Sequence, residues 1–136
     1  MSFKNKTIII TGGSRGIGKA VCIQLARDTN YHILINYNSN KEEALNTLEE
    51  VKSFGGSGEI LQFNVVNADE VRMSLNAWQE NNKDSIIEVI VNNAGITKDG
   101  LFMWMPQNDW QDVINTSLNG FFNVTNHLIQ KLLVNR

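Results

Sequence analysis

The run Thr7-Ile8-Ile9-Ile10 passes without a spacer into Thr11-Gly12-Gly13-Ser14-Arg15-Gly16-Ile17-Gly18, and an apolar helical pattern comes directly after it. A short continuous run of β-branched residues reads as a parallel strand buried on both faces. This one must end, turn within a few residues and open a helix. Glycines in such a turn allow a ligand to come close to the main chain, and the first N–H groups of the helix face outward, where they suit an anion. Open parallel sheets hold the pyrophosphate of a dinucleotide at just such a junction. Here the glycines stand at 12, 16 and 18, in the spacing T-G-x-x-x-G-x-G rather than the general G-x-G-x-x-G. A merely structural glycine turn is the alternative, and the flanking strand and helix weigh against it.

The remaining sequence repeats the alternation of strand and helix. Residues 7 to 11 are the first strand, and residues 16 to 28 the first helix, with an apolar stripe through Ile17, Ala20, Val21, Ile23, Leu25 and Ala26. His32 to Tyr37 is the second strand. Ser39-Asn40-Lys41-Glu42 reads as a capping box for a helix that runs to about Phe54 and stops at Gly55-Gly56. Glu59 to Asn64 is the third strand, and Asn67 caps a third helix with Glu70 reaching back. Ile86 to Asn92, apolar apart from Glu88, is a fourth strand expected to be largely buried on both faces and near the sheet centre.

A loop from Asn93 to Gln107 then leads into a long helix over residues 108 to 133, capped by Asn108 or Asp109. One apolar face runs through Trp110, Val113 or Ile114, Leu118, Phe121, Thr125, Leu128 and Leu132; a second runs through Phe122, Ile129 and Leu133. Two faces exceed what one side of a sheet covers. A second copy of the chain and a later stretch of chain are equally good covers for the surplus. The expected fold is α/β, a Rossmann-type doubly wound parallel sheet in the order 3-2-1-4. It is expected to be incomplete, because the fourth strand would otherwise be an open apolar edge.

Composition narrows the class. At 136 residues, 42% hydrophobic and 19% charged, the chain is read as one globular domain without linkers or repeats. A net charge of −2 with both signs interspersed speaks against nucleic acid and acidic lipid as partners. The single cysteine, Cys22, excludes an internal disulfide and, in its apolar helical setting, reads as a small buried hydrophobe. No segment has the apolar length of a membrane span, and Met1-Ser2-Phe3-Lys4 leads into the first strand without a secretory core, so the cytoplasm is expected. No metal site is expected.

The end of the second strand selects the cofactor. Dinucleotide folds that prefer NAD carry an acidic side chain there for the ribose hydroxyls. This sequence has Asn36-Tyr37-Asn38-Ser39 instead, with no carboxylate to repel a 2'-phosphate. Asn38 and Ser39 can donate to that phosphate, and Arg15 can reach it with a charged fork, so NADP(H) is expected over NAD(H).

T-G-x-x-x-G-x-G after the first strand, with Asn92-Asn93-Ala94-Gly95 after the fourth, resembles the short-chain dehydrogenase/reductase family over the whole chain. Asn93 to Asp99 and Trp110-Gln111-Asp112-Val113-Ile114 are most similar to its 3-oxoacyl-(acyl-carrier-protein) reductases, which reduce a thioester-borne ketone with NADPH. The resemblance implies that Gly12, Ser14, Arg15, Gly16, Ile17 and Gly18 hold pyrophosphate and adenosine ribose, and that Tyr37, Asn38 and Ser39 surround the 2'-phosphate. It places Asn64 and Val65 beside adenine and Asn93, Ala94 and Gly95 along the ribose, with Asn93 also tying the fourth strand to its neighbour. A homo-oligomer through the 108 to 133 helix, by family habit a tetramer, is implied as well.

Two departures stand out. Where the family carries an asparagine that holds a proton-relay water, this chain has Ser117, and Asn115 two residues earlier lies on a different side of the helix. The family's catalytic serine and Y-x-x-x-K pair lie on a later strand and helix. Tyr37 and Lys41 match that spacing but straddle a turn, so they cannot share a helical face. Residues 1 to 136 are therefore expected to be the NADP-binding N-terminal portion of a longer single-domain reductase, inactive alone. A noncatalytic dinucleotide-binding module and an inert fragment are the competing readings.

Overall fold

The computed structural model describes residues 5–96 and 98–134. Strands β1 (Asn5–Ile10), β2 (His32–Tyr37), β3 (Ser57–Gln62) and β4 (Ser85–Val91) alternate with helices α1 (Gly16–Asp28), α2 (Lys41–Ser53) and α3 (Ala68–Asn81). After β4 the chain passes through a 3-10 turn at Phe102–Trp104 into α4 (Gln107–Ile114), a π-helical turn at Asn115–Asn119 and α5 (Gly120–Val134). All pairings are parallel, in the expected order β3-β2-β1-β4.

Side-chain alternation along the strands makes the sheet two-faced. Ile8, Ile10, Ile33 and Ile35 point to one side and pack with Cys22 and Ala26 of α1 and Val51 of α2. Ile9, Leu34 and Ile87 point to the other, where they meet Val71, Leu75 and Trp78 of α3 and Val124 and Leu128 of α5. Each fully buried aliphatic side chain contributes about 1.5–3 kcal/mol of transfer free energy, so the two layers fix which helix covers which face. Among the described residues no helix is long and apolar enough to cross a membrane.

Several local expectations are corrected. The centre of the buried face of α1 is Gly18, Cys22 and Ala26, while Ile17 and Ala20 are exposed. Small side chains let the helix approach the sheet closely, which larger ones at those positions would prevent. Asn40, not Ser39, caps α2, its Oδ1 accepting from Glu43 N at 3.1 Å. Asn67 does cap α3, but Glu70 does not reach back to it. The Asn67 N–H is already donated to Asn64 O at 3.0 Å, and Glu70 Oε1 instead accepts from Asn64 N at 3.0 Å and Gln62 Nε2 at 3.1 Å.

β4 is not buried on both faces. The β1–β4 register shifts between Thr7 and Ile8, leaving Glu88 opposite no residue, and the side-chain alternation is interrupted there. β4 is the outer strand of the described sheet, with Glu88 and Val89 exposed and Lys6 Nζ 3.5 Å from Glu88 Oε2.

Neither Asn108 nor Asp109 caps α4. Pro106, extended at φ −61° and ψ 142°, is the capping residue, and its carbonyl accepts from Asp109 N and Trp110 N at 3.0 and 3.3 Å. The π turn then changes the helix face. One added residue per turn rotates the helix downstream of it, so the core side of α5 is Gly120, Val124 and Leu128, and Leu118 and Phe121 lie exposed. At Gly120 the helix comes so near β3's exit that a Cβ would sit 2.7 Å from Val65 Cγ2. Phe122, Ile129 and Leu133 are exposed as well, so the outward side joins members of both expected faces.

Candidate functional site

The turn between β1 and α1 is tied to both neighbouring strands. Thr11 N donates to Val91 O of β4 at 3.0 Å, and Gly13 N donates to Asn36 O of β2 at 2.9 Å. Asn36 is 2% exposed, and its side chain works in two directions. Its Oδ1 accepts from Gly12 N at 3.2 Å, and its Nδ2 donates toward Leu61 O at 3.2 Å and Phe63 O at 3.0 Å. One amide thus holds the glycine turn against β2 and the exit of β3. From α2, Thr47 Oγ1 donates to Ser14 O at 2.9 Å and fixes the next carbonyl.

Two glycines have separate duties. Gly16 sits at φ +60° with nothing within 4 Å of where a Cβ would be, so the backbone is open toward the cleft. Gly18 is buried; a Cβ there would collide with the Gly12 carbonyl and the Asn93 amide. Gly18 therefore permits the helix to seat and, contrary to the expectation from sequence, does not itself face the cleft. The first turn of α1 carries no acidic residue and no side-chain cap, which leaves its N–H groups available to an anion.

The exit of β4 closes the other side. Thr11 Oγ1 accepts from Asn93 N and Ala94 N, both at 3.0 Å, and Asn93 Nδ2 donates to Thr11 O and Gly12 O at 3.2 and 3.1 Å. Asn93 thus ties the end of β4 to the glycine turn. Asn92 Nδ2 reaches Thr125 Oγ1 at 3.0 Å, holding α5 beside the same strand end.

Between these walls lies a cleft of about 670 Å³ at the C-terminal ends of the strands. Of the residues singled out in the sequence, Gly12, Ser14, Arg15, Gly16, Ile17, Tyr37, Asn38, Ser39, Asn64, Val65, Asn93, Ala94 and Gly95 line it. Gly18 and Ser117 do not. Ile17, an apolar side chain lining the cleft, is 77% exposed. Asn64 Oδ1 accepts from Val66 N at 3.1 Å, which shapes the β3 exit, and Val65 O accepts from Asn123 Nδ2 at 2.8 Å.

Ser117 is exposed, with its Oγ 3.9 Å from the Cβ position of Gly95. The helix lines the cleft with Asp112, Asn115 and Thr116. Asn115 Oδ1 accepts from Asn119 Nδ2 at 2.7 Å, four residues on within the π turn. It is therefore Asn115 that meets the cleft, while Ser117 borders the backbone of Gly95. Thr97, in the stretch that carries part of the resemblance, lies outside the described residues.

Sequence reasoning misses Thr11, Asn36 and Glu43. A polar Asn36 closing an apolar strand is a signal of sorts, since a buried amide must find partners. Glu43 lines the cleft from α2, adding a carboxylate that residues 36–39 lack; nothing in its helical position announces this. Tyr37 ends β2 and Lys41 begins α2, so the pair shares no helix. Cys22 is fully buried, with its thiol pushed up to about 12 by desolvation, as suits packing rather than chemistry.

A family model described as short chain dehydrogenase matches residues 6–136. A 3-oxoacyl-(acyl-carrier-protein) reductase of Staphylococcus epidermidis is 39% identical over 132 residues, which cover 97% of this chain and 53% of that protein. A 3-oxoacyl-(acyl-carrier-protein) reductase of Synechocystis is 40% identical over 126 residues, 93% of this chain and 49% of the relative. A solved structure from Agrobacterium tumefaciens, provisionally named a gluconate dehydrogenase, superimposes with a TM-score of 0.86 at 27% identity, over 98% of this chain and 51% of that one. The chain spans about half the length of the curated relatives it matches. With the family match running from β1 through α5, the chain belongs to the short-chain dehydrogenase/reductase family.

Proposed function

We propose that this chain supplies the cofactor half of an NADPH-dependent reductase, acting on a 3-oxoacyl thioester or similar ketone, with an acyl-carrier-bound substrate as the first choice. The observation that carries the reading is the cleft itself: the glycine turn, residues 37–39 and the Asn93-Ala94-Gly95 exit converge on one space. Its volume suits a large ligand. The open backbone at Gly16 and the uncapped N–H groups of α1 suit a pyrophosphate.

In this reading Gly12, Ser14, Gly16 and Ile17 bind pyrophosphate and the adjoining ribose, and Gly18 seats α1 beneath them. Arg15, with Asn38 and Ser39, meets a 2'-phosphate; Tyr37 walls the adenosine end. Asn64 and Val65 flank adenine, and Asn93, Ala94 and Gly95 run along the nicotinamide ribose. When bound, the reduced nicotinamide supplies hydride to a carbonyl carbon. On the family resemblance, proton delivery to the carbonyl oxygen is assigned to a serine and a Tyr-x-x-x-Lys pair outside residues 1–136. Of the two side chains considered for a relay water, Asn115 lines the cleft and Ser117 does not. The apolar outer side of α4 and α5 supports a homo-oligomer, and the cytoplasm is the proposed place of action.

A noncatalytic dinucleotide-binding module is the second reading, favoured by serine at 117. The two are separated by monitoring NADPH oxidation at 340 nm with an acetoacetyl thioester and the full-length protein. The reductase reading expects turnover that falls at least tenfold when Arg15 is changed to alanine and NADPH is subsaturating. Saturable NADPH binding without turnover would leave the module.

A further inference from the structure

At the N-terminal end of the sheet, opposite the cleft, lies a second cavity of about 290 Å³, bordered by His32, Ser57 and Glu59 together with Asn5 and Asn30. His32 opens β2 and Ser57 opens β3. The parallel register sets His32 beside Ser57 and Leu34 beside Glu59, so the three polar side chains fall on one face of the sheet. His32 Nδ1 lies 3.0 Å from Ser57 Oγ, and its Nε2 lies 2.9 Å from Glu59 Oε2. An ionised carboxylate only accepts. In the neutral ring Nε2 therefore carries the proton, and Nδ1 is left to accept from the Ser57 hydroxyl. Hydroxyl, imidazole and carboxylate thus stand in the order of a nucleophile, its base and the group that orients the base. The carboxylate takes Nε2 and the hydroxyl Nδ1, the reverse of the usual assignment, which exchanges the tautomer and keeps the relay. Ser57 is exposed and His32 half-buried, so the hydroxyl can be reached while its base is held in place.

We propose that Ser57, His32 and Glu59 form a second reactive site, in which Ser57 takes the acyl group of a small activated ester. Ser57 Oγ attacks the ester carbonyl carbon and passes its proton to His32 Nδ1, while Glu59 holds the imidazolium that results. The tetrahedral intermediate collapses by breaking the carbon–oxygen bond to the alcohol, and His32 returns the proton to the departing oxygen. Water, deprotonated by the same ring, then hydrolyses the acyl-serine and restores the hydroxyl. Asn5 and Asn30 line the same space, and their amide groups are the donors assigned to the oxyanion. The small volume restricts the acyl group to a few carbons. This site shares no residue with the dinucleotide cleft.

The probe is p-nitrophenyl acetate, with release of p-nitrophenolate followed by absorbance and the acetylated residue located by peptide mass spectrometry. Acetylation is expected at Ser57. Ser57→Ala, at an exposed position, is expected to remove that label, and His32→Gln to slow acetylation of Ser57 about a hundredfold. Glu59 is a positioning residue, acting through the ring. Glu59→Gln is expected to lower the limiting rate about tenfold without changing the ester concentration at half saturation, with circular dichroism unaltered. Label that misses Ser57, or that reaches Ser57 as fast in His32→Gln as in the parent, overturns the proposal and leaves the three side chains as a polar tie between β2 and β3.

Discussion

Asn36 and Cys22 show how differently two buried polar atoms can be employed. Asn36 links the glycine turn to β2 and the end of β3 through one amide, and truncation would strand Gly12 N and two strand-exit carbonyls. Asn36→Ala is expected to lower stability by about 2–4 kcal/mol in urea titration and to weaken cofactor binding with it, because the turn loses its anchor. A change below about 0.5 kcal/mol would mean that the amide is incidental. Cys22 has no such role. Its thiol, fully buried and pushed up to about 12, holds almost no thiolate at pH 8. Iodoacetamide at that pH should leave the native protein unlabelled by mass spectrometry and label it once urea unfolds it. Rapid native labelling would contradict the packing at Gly13 and Cys22.

The helices and strands are legible in the sequence because their periods are local. β2 falls at the residues the sequence indicates, and β3 and β4 within two, since apolar alternation and glycine stops mark them. Which side of the last helix meets the core is not legible. A π turn has no period of its own in the sequence, so the stripe drawn through Leu118 and Phe121 belongs to an uninterrupted α-helix that the chain does not make. Asn115, and not Ser117, lines the cleft. The glycine turn and the Asn93-Ala94-Gly95 exit can be read because their backbone demands restrict residue type. Glu43 cannot, since an acidic residue in a first helical turn is ordinary. α5 also carries a titrating contact to α3: His127 Nε2 lies 3.1 Å from Asn76 Oδ1, and desolvation, then Lys131 and Arg72, hold its pKa below 6.5. The unfolded chain thus binds this proton more readily than the folded one. The neutral ring favours the fold above pH 6.5, and that contribution is lost as pH falls below it. The unfolding midpoint of His127→Gln should accordingly fall less than that of the parent between pH 7 and 5.5; parallel curves would contradict this.

The molecule as a whole buries two thorough layers and leaves a third apolar surface open. Phe122 is 61% exposed, and Phe121, Leu118, Ile129 and Leu133 share the outer side of the final helical stretch with it. Such a patch drives association. In sedimentation velocity the chain is expected to self-associate at micromolar concentration and Phe122→Asp to shift it toward monomer; a parent that stays monomeric would remove the proposed interface. The cleft is built from the β1, β2, β3 and β4 exits together with Asp112, Asn115 and Thr116, and is tied by Thr11, Asn36 and Asn93. Its proposed occupant is open to a direct measurement: titration calorimetry of NADPH into this chain, beside NADH and beside the Arg15→Ala variant. The account predicts saturable binding of one NADPH per chain, tighter than NADH, with the difference reduced about tenfold by loss of Arg15. No binding of either dinucleotide, or a preference for NADPH that Arg15→Ala leaves intact, would contradict it.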